Sequence, residues 1–450
     1  MQKKLFLYVR FPGHRLCFFM KKFRFIIPDP LFLALGLTGI TLILAYFFGT
    51  QVRSGLPGIA DVLVYWTEGF WELLAFSMQM VLILLLGYML ALSPLLDRLS
   101  SRLSTLSRRP VRGTVILTLI AIVFGWLNWG LALVFGAILV KKIAEQAARS
   151  KCAINYPLLG ASAYICMMVW HGGLSGSAPL SVADAGHFLI SKTGIIPLRE
   201  TIFSPMNMAV TAALLVFIPL ASGIFARKNG GAVPVARPAP YTEPFEKTPY
   251  RHSRILPVFG ILLLAGFFIY TFTRNDSTLG LNQVNIILFS LVLMAFPNSD
   301  ALGKTAAKAV QSTTGIIIQF PLYAGIMGIM KYSGLLVVIT NWFVSVSTPQ
   351  SLPLFSFLSA ALVNLFVPSG GGQWAVQGPV LMEAAGLVGV NYAKEVMALA
   401  YGDQLSNMLQ PFWALPLLGI AGLKAGQILK YSLPFMIIGT VIFALALLLF

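Results

Sequence analysis

The sequence predicts an all-α, polytopic membrane protein with inverted repeats, two re-entrant hairpins and two broken transmembrane helices. Three observations lead there. Of 450 residues, 57% are hydrophobic and only 10% charged, with a mean hydropathy of +0.82, so too little polar surface exists to cover the core in water. Apolar runs of about 20 residues, the length that crosses roughly 30 Å of hydrocarbon, recur along the chain. Two further apolar stretches, 113–140 and 354–381, are interrupted at their centres by glycine and polar residues, where a simple span should have neither.

Spans are expected near 31–48, 70–93, 155–178, 203–226, 255–273, 282–297, 313–331, 396–418 and 431–449. Ahead of the first, Lys3, Lys4, Arg10, Arg15, Lys21, Lys22 and Arg24 break up the apolar residues. Segment 1–27 therefore reads as a basic segment on the cytoplasmic face and not as a cleaved signal peptide. The net charge of +17 is concentrated in short segments between spans. That distribution sets orientation and attracts anionic lipid headgroups; it does not indicate nucleic acid. Cys17, Cys152 and Cys166 are scattered and odd in number, which indicates neither a disulfide framework nor a zinc site.

The stretch 113–140 follows Arg108, Arg109 and Arg112 and precedes Lys141, Lys142, Arg149 and Lys151. A single crossing would leave one cluster on the wrong side, whereas a hairpin returning to the cytoplasm satisfies both. Its middle, FGWLNWG, supplies the glycines and Asn128 that a hairpin tip needs. The stretch 354–381 has no basic cluster on either side and is read as a hairpin entering from outside. Residues 227–254, rich in proline and basic, form a cytoplasmic linker. Gln79 and Gln319 hold similar places in the two halves, as do polar breaks at 171–177 and 403–410. The expected units are a first repeat 28–226, the linker 227–254, a connecting span 255–281 and a second, inverted repeat 282–450. Many secondary transporters build a midplane site from this layout.

Unwound backbone at membrane depth must be buried in protein or line a cavity, because each unpaired amide costs several kcal/mol. In FVPSGGGQWAVQGP, residues 366–379, the tip Ser369, Gly370, Gly371 and Gly372 can present backbone N–H groups to a carboxylate, with Gln373 and Gln377 following. A glycine-eased kink is the plain alternative. Asp403, Gln404, Asn407 and Gln410 fall within about two helical turns, a set suited to a sodium ion or a proton, against an exposed acid near the helix end. His171 joins the coupling candidates, as a ligand or as an interfacial polar residue. Gly173 to Gly176 spell GxSG, the nucleophile motif of rhomboid proteases, but no second histidine lies at membrane depth to serve as its base. Ser175 and Ser177 are read instead as hydroxyl ligands on a broken helix. Trp126, Trp129, Trp374 and Trp413 lie near tips and breaks, either packed on a small acyl chain or filling the core.

PDPLFLAL, EGFWELLAFSMQM, NWGLALVFGA, VNLFVPSGGGQWAVQGP and AYGDQLSNMLQPFWALP, in this order from about Pro28 to the carboxyl terminus, resemble the bacterial short-chain fatty acid transporter family. The resemblance implies uptake of butyrate, acetoacetate and similar anions across the inner membrane, by a non-enzymatic carrier with no organic cofactor and a sodium ion or a proton as coupling ion. An anion channel or exchanger of the same fold is the alternative. It further implies kinship with divalent-anion/sodium symporters, whose hairpin tips and broken helices hold carboxylate and sodium; Asn128, Ser369 and Asn407 occupy comparable positions, with Trp129 and Gly130 beside the first tip. The Ser-Asn-Thr triplets of those symporters are absent here. A homodimer is one assembly open to the chain.

Overall fold

The computed structural model describes residues 30–49, 59–106, 109–150, 152–228, 254–274, 280–365, 367, 369–410 and 413–450. The basic segment 1–27, nearly all of the 227–254 linker, and Pro368, Pro411 and Phe412 lie outside them. The described residues form helices and no strand. Among the described residues, six helices are long and apolar enough to cross a membrane by length and composition.

The first half runs α1 (Pro30–Phe48), α2 (Ile59–Phe70), α3 (Leu74–Ala91), α4 (Pro94–Leu106), α5 (Pro110–Leu127), α6 (Trp129–Arg149), α7 (Tyr156–Tyr164), α8 (Ser177–Val182), α9 (Ile190–Thr193) and α10 (Pro205–Lys228). The second runs α11 (Ile255–Arg274), α12 (Leu281–Ala295), α13 (Ser299–Val310), α14 (Thr314–Tyr332), α15 (Leu335–Val346), α16 (Leu352–Val363), α17 (Gly370–Val388), α18 (Tyr392–Ser406), α19 (Leu415–Ala421) and α20 (Ala425–Leu449). One 3₁₀ turn, Ile165–Met168, follows α7, and another, Asn407–Leu409, follows α18.

Besides the single-turn α9, four of these helices do not follow from apolar run length. α2 and α15, at 12 residues, span only about 18 Å, and α4 and α13 carry Asp97, Arg98, Arg102, Lys304 and Lys308 on one side of an amphipathic helix. The expected span 70–93 opens with a turn at Trp71–Leu73, so its helix starts at Leu74. The span expected at 396 begins earlier, because Asn391 caps α18 by accepting from the Ala393 and Lys394 N–H groups. α11 leaves Phe259, Leu262, Ile269 and Phe272 exposed, an apolar face suited to lipid.

Helix α5 ends and α6 begins at Asn128, whose extended backbone (φ −161°, ψ 121°) reverses the chain. The rings of Phe124 and Phe135 then meet at 4.7 Å, although a straight helix would hold them roughly 16 Å apart along its axis. α16 and α17 fold back likewise: Gln373 Nε2 donates to the Ala360 carbonyl at 2.8 Å and Gln377 Nε2 to Ser359 Oγ at 3.0 Å.

Contacts fix the relative directions. Glu72, just before α3, pairs with Lys331 near the end of α14, while Tyr88 near the end of α3 shares a cavity with Gln311 just before α14; the two helices are antiparallel. α6 runs alongside α3, since Asn128 Nδ2 donates to the Ile83 carbonyl and Lys142 pairs with Asp97 beyond the end of α3. α17 runs alongside α14, with Gly371 against Phe320 and Val376 and Pro379 beside Met327 and Met330. The two hairpins thus approach from opposite ends of the α3–α14 pair, and their tips meet near its middle.

Candidate functional site

A cavity of about 430 Å³ lies between the tips. Trp129 and Gly130 at the start of α6, Ser369 before α17, Trp413 before α19, and Leu84 and Gln319 from α3 and α14 line it; none of its described lining residues carries a charge. It extends to Gln311, Ser312 and Thr314, so it opens toward the amino-terminal end of α14. The apolar wall and the few polar groups suit a small amphipathic anion. Two helix N-termini face it. Asn128 caps α6 by accepting from Leu131 N–H at 2.9 Å, and Ser369 caps α17 by accepting from Gly372 N–H at 3.3 Å. The first N–H groups of each helix lack intrahelical partners and carry partial positive charge toward the cavity. The Trp129 ring sits 5.2 Å from Trp413 and 5.9 Å from Trp170, an aromatic wall that a short acyl chain can lie against.

The three tip glycines also have a packing role. None of Gly370, Gly371 and Gly372 has positive φ, and each abuts a ring: Trp170 at Gly370, Phe320 at Gly371 and Tyr323 at Gly372. They are glycine because α17 starts in contact with three aromatic side chains, which leave no space for a Cβ. Gln373 and Gln377 also stand away from the cavity, hydrogen-bonded to one another at 2.8 Å between α16 and α17.

Beside the cavity, two interrupted helices cross. The chain between α7 and α8 is unwound at Val169–Gly176, and its backbone is satisfied by side chains from elsewhere. Gln404 Oε1 accepts from both His171 N–H and Gly172 N–H at 3.0 Å, and Asn207 Nδ2 donates to the Gly172 carbonyl at 2.8 Å. The second interruption begins later than expected, after Asp403 and Gln404, which are still in α18. There Tyr164 Oη lies 2.8 Å from the Asn407 carbonyl and 2.7 Å from that of Gln410.

His171 and Asp403 form a fully buried pair, Nδ1 against Oδ2. His171 Nε2 accepts the Ala178 N–H at 3.1 Å, so the ring proton is on Nδ1, facing the carboxylate. Trp170 stacks on the imidazole at 4.6 Å, and Asp403 Oδ1 has no hydrogen-bond partner. His171 is therefore neither interfacial nor a cavity ligand, and Asp403 is not an exposed acid. The serines give no support to a protease: Ser175 Oγ accepts from Trp129 N–H at 3.1 Å, and His171 Nε2 faces a backbone amide in place of a hydroxyl. Ser177 begins α8, its Oγ buried and without a partner.

Asp403 Oδ2 meets His171, while Asn407 and Gln410 hydrogen-bond elsewhere. They gather around Asn364, at the turn after α16, whose Nδ2 donates to the Asp403 carbonyl at 2.8 Å and to Asn407 Oδ1 at 2.7 Å, and whose carbonyl accepts from Gln410 Nε2. Asn364 and Asn207 have no place in the sequence reading; a polar side chain inside an apolar run is the available signal for both.

The profile of the short chain fatty acid transporter family matches residues 9–450. The chain belongs to that family. It is 37% identical over 440 residues to an Escherichia coli (strain K12) protein named for short-chain fatty acid transport, covering 94% of this chain and 96% of that one. A Haemophilus influenzae protein of the same name is 37% identical over 439 residues, with the same coverage. Among solved structures, the Alcanivorax borkumensis YdaH transporter, described as having an unusual topology, superposes with a TM-score of 0.60 at 15% identity, covering 94% of this chain and 98% of that one. Neisseria gonorrhoeae MtrF, described within a class of antimetabolite efflux pumps, gives 0.56 at 15% identity, with 97% of each chain covered. At such identities the likeness is one of fold. This family member is a multi-pass membrane protein, and its crossed interruptions and facing helix ends make up its candidate site.

Proposed function

We propose that this protein is a secondary transporter that carries short-chain fatty acid anions such as butyrate and acetoacetate across the bacterial inner membrane by alternating access, coupled to a cation. The observation that supports this most is the uncharged cavity bounded by two helix N-termini and a tryptophan wall. Helix ends and hydroxyls hold a carboxylate without a buried lysine or arginine, and the indoles take a short alkyl chain. The two hairpins act as re-entrant elements of inverted repeats, with the amino terminus cytoplasmic. In that orientation the cavity faces the cytoplasm, and the packing of α17 on α14 closes the other side.

Coupling is assigned to the His171–Asp403 pair. With its proton on Nδ1 the imidazole is neutral, which leaves the carboxylate charge without a buried cation opposite it. A proton or a sodium ion arriving there would balance the pair and change how the two interrupted helices hold each other. Uptake of radiolabelled butyrate or acetoacetate into proteoliposomes, with proton and sodium gradients imposed separately, tests the reading. Accumulation against a concentration gradient is expected with one of them. Uptake that only equilibrates under both would replace the transporter with a channel.

A further inference from the structure

A second buried acid stands apart from the cavity and from the His171–Asp403 pair. Glu395 lies one turn into α18, in the seam with α16, and is fully buried. Ser356 Oγ of α16 shares a hydrogen bond with its Oε1, and its Oε2 has no partner. The elements packed against α18 bring no cation to Glu395, and the nearby charge is Lys394 at the neighbouring position of α18. α16 has no ionisable residue, and α8 has none. On α17 the only ionisable residue is Glu383, which is paired with Lys192 at 2.8 Å. α20 carries Lys430 and Tyr431, near its start, where Tyr431 accepts from Asn155. On α10, Arg227 and Lys228 close the far end of the helix. Within α18, Lys394 is half-buried on the neighbouring position, Tyr392 is half-buried, Tyr401 donates to Asn207 and Asp403 pairs with His171. A carboxylate enclosed with a single hydroxyl is costly to keep ionised, whereas a carboxylic acid is not.

Position adds to this. Since α17 runs alongside α14, the start of α18 lies at the carboxyl-terminal end of α14, opposite the end toward which the cavity opens. The same seam reaches the tip: Ser359 Oγ donates to the Ser356 carbonyl at 3.0 Å, Gln377 donates to Ser359, and Gln373 donates to Gln377. We propose that Glu395 is a proton-binding site of the transport cycle, protonated while α16 and α18 are closed on it and releasing its proton when their parting admits water. The proposal rests on the transporter reading and gives Gln373 and Gln377 a place in it. They couple the seam that holds Glu395 to the hairpin that carries Ser369.

Glu395→Gln, which keeps the shape of the neutral acid, is the test in proteoliposomes. The variant is expected to lose proton-driven accumulation while exchanging labelled for unlabelled butyrate, with the pH profile of exchange changed from that of the wild type. Infrared spectra of the reconstituted protein should lose the carbonyl band of a protonated carboxylic acid. Ser356→Ala, which removes the hydroxyl bonded to the Glu395 carboxyl group, should shift the pH profile of exchange. Accumulation by Glu395→Gln with the wild-type pH profile, or an unchanged carboxylic acid band, overturns the proposal. If Glu395→Gln fails to insert, an unmoved profile in Ser356→Ala overturns it. If wild-type protein takes up no butyrate, the transport reading fails instead, and the infrared band still decides whether Glu395 holds a proton.

Discussion

Gly371→Ala tests the contact that holds the second hairpin tip against α14. A Cβ there would lie 2.7 Å from Phe320 Cζ and 2.8 Å from Cε1, and 3.1 Å from Phe76 Cε1. Carbon atoms pack at about 3.5–4.0 Å, so the Phe320 ring would have to retreat by about 0.8 Å or more. It has little room to do so. The side chain is 2% exposed, and its ring is held between Phe76 at 5.9 Å and Tyr323 at 6.5 Å. Overpacking of this kind costs about 1–3 kcal/mol. At about 1.4 kcal/mol per factor of ten, the closed packing of α17 on α14 would lose roughly 5- to 150-fold in population. Thermal unfolding of the purified protein and butyrate exchange in proteoliposomes would read the two consequences, lower stability and altered exchange. Phe320→Leu in the same chain removes the obstructing ring atoms and should restore much of the loss. Gly36→Ala is the control, since a Cβ there meets nothing within 4 Å. A Gly371→Ala protein that melts and exchanges like wild type, or a double variant no better than the single one, would refute the packing argument.

Asp403→Asn should abolish gradient-driven accumulation yet spare substrate exchange if the residue carries a proton, or raise the sodium needed for half-maximal uptake if it binds sodium; normal accumulation with unaltered pH and sodium dependence would remove it from the mechanism. Asn364→Ala deletes the amide that ties α16 to the Asp403 and Asn407 oxygens and should cost about 1–3 kcal/mol, read as a lower melting temperature, with an unchanged one showing that these bonds are dispensable. Single cysteines at Arg109 and Lys142, with Cys17, Cys152 and Cys166 replaced, should both resist an impermeant thiol reagent added outside intact cells. Labelling of only one would make α5 and α6 a crossing instead of a returning hairpin.

Helix positions across most of the chain were legible because membrane thickness fixes the length of an apolar run, as for α1, α10, α11, α12, α14 and α20. The helix breaks at Asn128 and Ser369 were legible because a polar capping residue or a glycine cluster interrupts an otherwise apolar run. α2, α4, α13 and α15 were not, since short or amphipathic helices leave no run of that length. In the site, Asp403, Asn407 and Gln410 recur at intervals that share one face of an ideal helix, which suggested a single oxygen cluster. The 3₁₀ turn at Asn407–Leu409 changes that rotation, so the carboxylate meets His171 while the two amides meet Asn364. Likewise three consecutive glycines announced close approach without saying to what, and only the packing of α17 showed the rings of Trp170, Phe320 and Tyr323 there. The sequence by itself therefore determined which segments are apolar enough for a membrane and roughly where the helices are interrupted, because those follow from transfer energies of neighbouring residues. The tertiary structure decided which interrupted residues meet, because His171 and Asp403 are 232 positions apart and are joined only by the way two broken helices cross.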